Sequence, residues 1–128
     1  MFDFQFLGTS AGIPTKTRNV TALALGQTAS KPWLLIDCGE ATQQQLLHTP
    51  WSANTLSAIC ITHVHGDHCY GLPGILASAG LNKRTQPLTI IAPLHLWQWL
   101  QHTIDLTDLF LSFELQFVNV TSLLNQSV

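Results

Sequence analysis

The stretch Thr62-His63-Val64-His65-Gly66-Asp67-His68 decides how this sequence is interpreted. Its three histidines and one aspartate follow an apolar run, residues 57–62, that is typical of a buried strand. Residues two apart on an extended backbone point the same way, so His63 and His65 can bind one ion as a pair. A turn at Gly66 lets Asp67 and His68 face a second ion. Imidazole and carboxylate are zinc ligands at hydrolytic centres, and so dense a set favours a metal site over surface histidines.

The hydrophobic pattern around this motif predicts strands interleaved with helices. Strands are predicted at 2–6, 21–25, 31–37, 57–62, 87–92 and 112–120, and helices at 40–48, 71–79 and 94–104. Leu46 and Leu47 are available for packing in the first helix, and Leu96, Trp97 and Leu100 give the last helix an apolar face. The alternation predicts an α/β layered domain over residues 1–128, with the metal motif in a loop after a strand.

Composition narrows the class of protein. Charged residues make up 9% of the 128 residues, against about 25% in a typical soluble chain, so we expect part of the surface to meet a partner or another part of the protein. The net charge of −2 provides no basic field for nucleic acid. No signal peptide or apolar run of membrane-spanning length is visible. Three cysteines without paired spacing favour free thiols and a cytoplasmic location.

Three further stretches accompany the metal motif. They are Phe6 to Asn19, a loop that contains Pro14, Lys16 and Arg18; Leu35 to Gln43; and Gly71 to Leu76. Together with the motif they resemble bacterial ribonuclease Z of the metallo-β-lactamase superfamily. The resemblance implies a zinc-dependent endoribonuclease that removes the 3′ trailer from precursor tRNA. It also implies an α/β fold, one half of an αββα sandwich, in which a mixed sheet carries helices on one face.

The resemblance also assigns roles to site residues. It implies that His63 and His65 bind the first of two zinc ions per subunit and that Asp67 and His68 bind the second. Asp67 is also the candidate catalytic group, because it can accept a proton from the attacking water. Asp37 either fixes the tautomer of a ligand histidine or bonds its own backbone in a turn, and the resemblance favours the first role.

Substrate contacts and assembly are less determined. Lys16 and Arg18 either contact tRNA phosphates or are a solvated pair in the loop. The remaining histidines have no ligand spacing among themselves and are interpreted as surface or helix-packing residues; they are His48, His95 and His102. The apolar face with Leu96 and Trp97, together with the homodimers that the family forms, predicts self-association.

Two other functions remain open. The first is another hydrolase on the same fold, such as a cyclic-nucleotide phosphodiesterase, an arylsulfatase-like enzyme or a β-lactamase. The second is a non-catalytic, truncated remnant that binds only metal or a partner chain. The family's further zinc ligands have no matching positions up to Val128. We therefore expect these 128 residues alone to hold zinc weakly and to cleave no precursor tRNA.

Overall fold

The computed structural model describes residues 1–124. Its strands are β1 (Phe2–Gly8), β2 (Ala22–Gln27), β3 (Trp33–Ile36), β4 (Leu56–Cys60), β5 (Leu88–Ala92) and β6 (Leu115–Asn119). Its α-helices are α1 (Thr42–Leu46), α2 (Gly66–Cys69), α3 (Leu72–Leu81), α4 (Leu94–Leu106) and α5 (Val120–Leu124), and a 3-10 turn at Ala53–Thr55 precedes β4. The predicted order of strands and longer helices is confirmed, with ends that differ by a few residues.

The six strands form one mixed sheet in the order of the sequence. The central strand of the first three, β2, is antiparallel to both β1 and β3, whereas β3, β4, β5 and β6 run parallel. Parallel neighbours end at the same edge of a sheet, and open α/β sheets place their ligand sites in the loops at that edge. The loop after β4, which carries the metal motif, lies there.

Alternate strand residues build the hydrophobic core on one face of the sheet. Ala24, Leu35, Ile59 and Ile90 pair with one another across four strands, and all four are fully buried. Helices α3 and α4 contribute to the same core, and their buried side chains are Leu72, Ile75, Leu76, Ala79, Leu96 and Leu100. The helices therefore cover this face, as predicted.

The opposite face of the sheet is apolar and open to solvent. Phe4, Leu25, Leu34 and Ala58 pair in sequence across it. Phe4 is 66% exposed, although phenylalanine in a sheet usually packs against another layer. We call this side the open sheet face. A mixed sheet with helices on one side and an apolar second side confirms the predicted α/β half-sandwich.

Some local predictions were wrong. The turn expected at Gly66 is helix α2, whose four residues are too few to give a hydrophobic period. Helix α5 replaces the end of the strand predicted at 112–120, of which only 115–119 is extended. Leu46 packs in the core, but Leu47 is 82% exposed. None of the helices within residues 1–124 has the length and apolarity needed to cross a membrane.

The apolar face of α4 packs within the chain. Leu96 and Leu100 are fully buried. The Trp97 ring stacks on Phe117 of β6, with 4.9 Å between ring centroids and 16° between planes. This face therefore gives no support to the predicted self-association.

A buried arginine ties together the chain segments that enter β4 and β5. The Nε–H of Arg84 donates to the Gln86 carbonyl at 2.8 Å, and its Nη groups donate to the carbonyls of Ala53 and Pro87 at 2.9 Å. Its Cζ lies 5.5 Å from the Phe113 ring centroid. Arg84 thus holds the edge of the sheet opposite the metal motif, where it serves stability rather than chemistry.

Replacing Arg84 with methionine is expected to lower the free energy of unfolding by about 2–4 kcal/mol, because three partly buried carbonyls lose the charged donor of their hydrogen bonds. Arg84→Lys is expected to recover only part of the loss, since an ammonium lacks the planar fork of donors. Urea denaturation measures both, with Lys83→Met at the exposed neighbouring position as the control. A midpoint for Arg84→Met equal to that of Lys83→Met would contradict the assignment.

Candidate metal centre

The three histidines of the motif lie together at the carboxyl edge of the sheet. The Ile61 N–H still bonds to the Ile91 carbonyl at 2.9 Å, after which the chain leaves the sheet. The rings of His63 and His65 are exposed, with centroids 6.0 Å apart and 23° between planes. The His68 ring on α2 lies 5.0 Å from that of His63. The structure thus gathers imidazoles from a loop and a helix into one cluster.

Asp37 connects the end of β3 to this cluster. It is buried in a left-handed backbone conformation, with φ of 61°. Its Oδ2 lies 2.8 Å from His68 Nδ1, and its Oδ1 accepts a 2.8 Å hydrogen bond from the Thr62 N–H. The Thr62 hydroxyl lies within 2.9 Å of both carboxylate oxygens. This network occupies Nδ1 of His68, while Nε2 lies 3.4 Å from Asp67 Oδ2.

Asp67 is held by the loop that follows β1. The Gly12 N–H donates to Asp67 Oδ2 at 3.1 Å, across 55 positions of sequence. This hydrogen bond is the main cause that lowers the pKa of the Asp67 carboxyl, with smaller contributions from His68 and His65. The carboxylate form of Asp67, which can bind a cation or accept a proton, is therefore favoured.

Close backbone packing joins the turn after β3 to the metal motif. The Cys38 N–H donates to the His68 carbonyl at 2.8 Å, and the Gly71 N–H donates to the Cys38 carbonyl at 3.0 Å. A Cβ at Gly71 would come 2.1 Å from the Gly39 carbonyl oxygen. Only glycine at position 71 permits this approach, which keeps Asp37 within reach of His68.

The two cysteines beside the cluster are poor candidates for ligands. Burial raises the pKa of the Cys38 thiol to about 12 and that of the Cys69 thiol to about 11. With these pKa values both thiols are protonated at neutral pH, whereas a cysteine binds metal as its thiolate. Cys60 is half-buried and shares the sheet face of Ile36, with which it pairs.

The histidine and aspartate side chains of the motif are of the types that bind zinc, but they do not converge on a single point. Within residues 1–124, no three side chains of His, Cys, Asp or Glu are placed so that they could hold one ion. His68 Nε2 and Asp67 Oδ2 lie 3.4 Å apart. Two ligands of a tetrahedral zinc ion are separated by about 3.3 Å when each bond is 2.0–2.1 Å. This pair therefore has the separation of two ligands of one ion.

The loop that carries the two cations adjoins a polar cleft of about 380 Å³. Lys16 and Arg18 line it and are exposed. The loop is closed by the Thr15 N–H, which bonds to the Arg18 carbonyl at 2.7 Å, and is anchored by Asn19, which donates to the Glu40 carbonyl at 2.7 Å. Since Gly12 in the same loop contacts Asp67, the cationic loop and the metal motif form one connected unit.

Two partners in the site had no predicted role. Thr62 was recognised only as the start of the motif, yet it bonds to Asp37; its place directly before His63 was the available signal. Gly12 contacts Asp67, and the glycine-rich loop gave no indication of this partner. The histidines that were predicted to lie outside the site are all exposed: His48, His95 and His102.

Solved structures identify the class. The chain superposes on the metallo-β-lactamase fold protein YhfI from Bacillus subtilis with a TM-score of 0.72 and 18% identity, which covers 92% of this chain and 44% of that one. The chain therefore has a metallo-β-lactamase fold. A family model described as Anti-Pycsar protein Apyc1 matches residues 2–107, and the chain belongs to this family.

Sequence relatives support the narrower resemblance. The chain is 57% identical to ribonuclease Z of Pseudomonas putida strain GB-1 over 121 residues, which cover 94% of this chain and 38% of that protein. Its TM-score with the crystal structure of the short form of human tRNase Z (ELAC1) is 0.83 at 36% identity, covering 93% of this chain and 44% of that chain. The predicted resemblance to ribonuclease Z is confirmed, and the chain spans about two fifths of the length of these relatives.

Proposed function

We propose that this chain supplies part of the catalytic centre of a zinc-dependent endoribonuclease that removes the 3′ trailer from precursor tRNA. The observation that carries this proposal is the 57% identity to a ribonuclease Z, which extends over nearly the whole chain. The connected unit of His/Asp motif and cationic loop supports it, because phosphodiester hydrolysis needs both a nucleophile and a means of holding phosphate.

His63 and His65 would hold one zinc ion, and Asp67 and His68 would hold a second. When bound, two such ions supply an activated water and neutralise charge on the phosphodiester. Asp37 contributes by fixing Nδ1 of His68, so that Nε2 would be the atom available to bind an ion. The Gly12 N–H fixes Asp67 Oδ2, and the carboxylate would be in place to accept a proton from the attacking water.

Lys16 and Arg18 would bind phosphates of the tRNA next to the scissile bond. Their side chains line one cleft, and the loop that carries them is tethered to Asp67 through Gly12. With a net charge of −2, the chain cannot rely on a general electrostatic attraction, so these two cations would provide local contacts.

The double variant Lys16→Ala/Arg18→Ala is expected to weaken precursor tRNA binding several-fold, with a smaller effect on kcat. The slope of log affinity against log salt should fall by about 0.7–0.9 for each phosphate that the variant no longer neutralises. Filter binding of the full-length protein at several salt concentrations measures this slope. Lys31→Ala removes an exposed cation between β2 and β3 and is the control. Equal slopes for the double variant and the wild type would contradict the assignment.

A phosphodiesterase for small substrates is the second candidate. The chain belongs to the family of the Anti-Pycsar protein Apyc1 as well as resembling ribonuclease Z, so another hydrolase on the same fold remains a candidate. Full-length protein assayed on precursor tRNA, on a cyclic nucleotide and on a bis-aryl phosphodiester distinguishes the two. Accurate 3′ cleavage of precursor tRNA is the expected result. Turnover of the small substrates without any cleavage of precursor tRNA would reject the ribonuclease proposal.

Assembly and location belong to the same proposal. Homodimerisation is proposed on the resemblance to ribonuclease Z alone, since the apolar face of α4 packs within the chain. A cytoplasmic location is proposed because the three cysteines are free thiols, which a reducing compartment maintains.

A further inference from the structure

Tyr70 is an exposed aromatic residue in direct contact with the metal motif. It follows α2 and is 65% exposed. Its ring packs against Gly66, where a Cβ would come 2.0 Å from Tyr70 Cε2 and 2.3 Å from Cζ. Gly66 stands between His65 and Asp67 in the sequence. The ring therefore lies beside the segment that carries the candidate ligands, and the absence of a side chain at Gly66 makes room for it.

Trp99 of α4 supports the same ring from another direction. The centroids of Tyr70 and Trp99 are 6.4 Å apart, with 48° between the planes. Trp99 itself is half-buried and packs against the hydrophobic core. Gly66 and Trp99 thus hold the Tyr70 ring between the metal motif and α4, while most of its surface stays accessible.

We propose that Tyr70 is a stacking platform for a nucleobase of the RNA beside the scissile phosphodiester. This inference rests on the proposed endoribonuclease function. Every nucleobase has a π-face that stacks on an aromatic ring, and such contacts contribute affinity without requiring positive charge. The five cationic side chains leave the chain with a net charge of −2, so an uncharged stacking contact would complement the phosphate contacts of Lys16 and Arg18.

The chemistry also accounts for the position of the ring. The metal motif would bind the phosphodiester, and a base one nucleotide away can reach a platform that adjoins the motif. Stacking tolerates any base, so Tyr70 would position the RNA chain without reading its sequence. Tyr70 is in this sense a positioning residue that orients the substrate through a neighbouring base.

Fluorescence anisotropy with a short labelled single-stranded RNA tests the platform on full-length protein, with zinc and with chelator. Tyr70→Ala is expected to raise Kd about 10-fold, within a range of about 5- to 150-fold for loss of one stacked base. Tyr70→Phe should restore binding because it keeps the ring. Tyr70→Leu should resemble Tyr70→Ala, since leucine can pack on Gly66 but has no π-face. Phe110→Ala removes another exposed aromatic ring, 82% exposed, and should leave Kd unchanged.

Wild-type affinity in Tyr70→Ala or Tyr70→Leu would overturn the platform, and so would an equal loss in Phe110→Ala. A precursor tRNA cleavage assay on the wild type separates this result from the proposed function. Weaker RNA binding by Tyr70→Ala, in a protein that does not cleave precursor tRNA, would keep the platform and reject the endoribonuclease. Cleavage of precursor tRNA by the wild type, with unaltered RNA binding by Tyr70→Ala, would keep the endoribonuclease and reject the platform.

Discussion

Replacing His65 with alanine in the full-length protein is expected, under the proposed function, to lower kcat/KM for precursor tRNA by more than about 100-fold. Residues that only orient metal ligands cost about 10- to 100-fold when they are removed, so loss of a ligand should cost more. His65 is exposed and belongs to the imidazole cluster, so its removal leaves His63 without the neighbour with which it would share an ion. Zinc content by mass spectrometry should fall together with activity.

His102→Ala is the matched control for this experiment. His102 is exposed on α4 and has no ligand spacing with other histidines, so zinc content and turnover should both stay at wild-type levels. Wild-type turnover in His65→Ala, with an unchanged zinc stoichiometry, would remove the metal assignment of the motif.

Replacing Asp37 with asparagine is expected to weaken zinc binding by about 10- to 100-fold, with a matching loss of activity. The substitution keeps the size of the side chain. An asparagine can still accept from the Thr62 N–H, but the amide group then turned toward His68 donates to Nδ1. The His68 proton would move to Nε2, which is the atom that would bind the ion.

Isothermal titration calorimetry with zinc measures this effect, and Asp105→Asn on the exposed surface of α4 provides the control for an equal change in charge. Thr62→Val tests the other side of the network, because it removes the hydroxyl that contacts both oxygens of Asp37. Zinc affinity of Asp37→Asn equal to that of Asp105→Asn would show that Asp37 is only a turn residue.

The features that could be predicted from the sequence are those that show a pattern among neighbouring residues. Alternation in β1 and the apolar run in β4 identified strands, and the dense His/Asp motif after β4 identified the candidate ligands. The contacts that complete the site are long-range: Asp37 to His68 spans 31 positions, and Gly12 to Asp67 spans 55. No local pattern encodes such distances, which arise only when the parallel strands bring their carboxyl ends together.

The errors have equally local causes. Helix α2 is shorter than the period by which a helix is recognised, so its four residues were interpreted as a turn. Leu47 is as hydrophobic as Leu46, but it lies at the end of a five-residue helix and is exposed to solvent. The apolar face with Trp97 was expected to promote self-association, and its partner within the chain, Phe117, lies on a strand twenty positions further along.

The open sheet face also affects how this chain would respond to temperature. The heat-capacity change of unfolding scales with the apolar area that unfolding exposes to water, and Phe4 and its neighbours on that face are already hydrated in the folded chain. The heat-capacity change of unfolding should therefore fall below the usual range of roughly 12–15 cal/mol/K per residue for globular domains. A smaller heat-capacity change flattens the stability curve, so calorimetry of these residues should show stability that declines slowly on either side of its maximum.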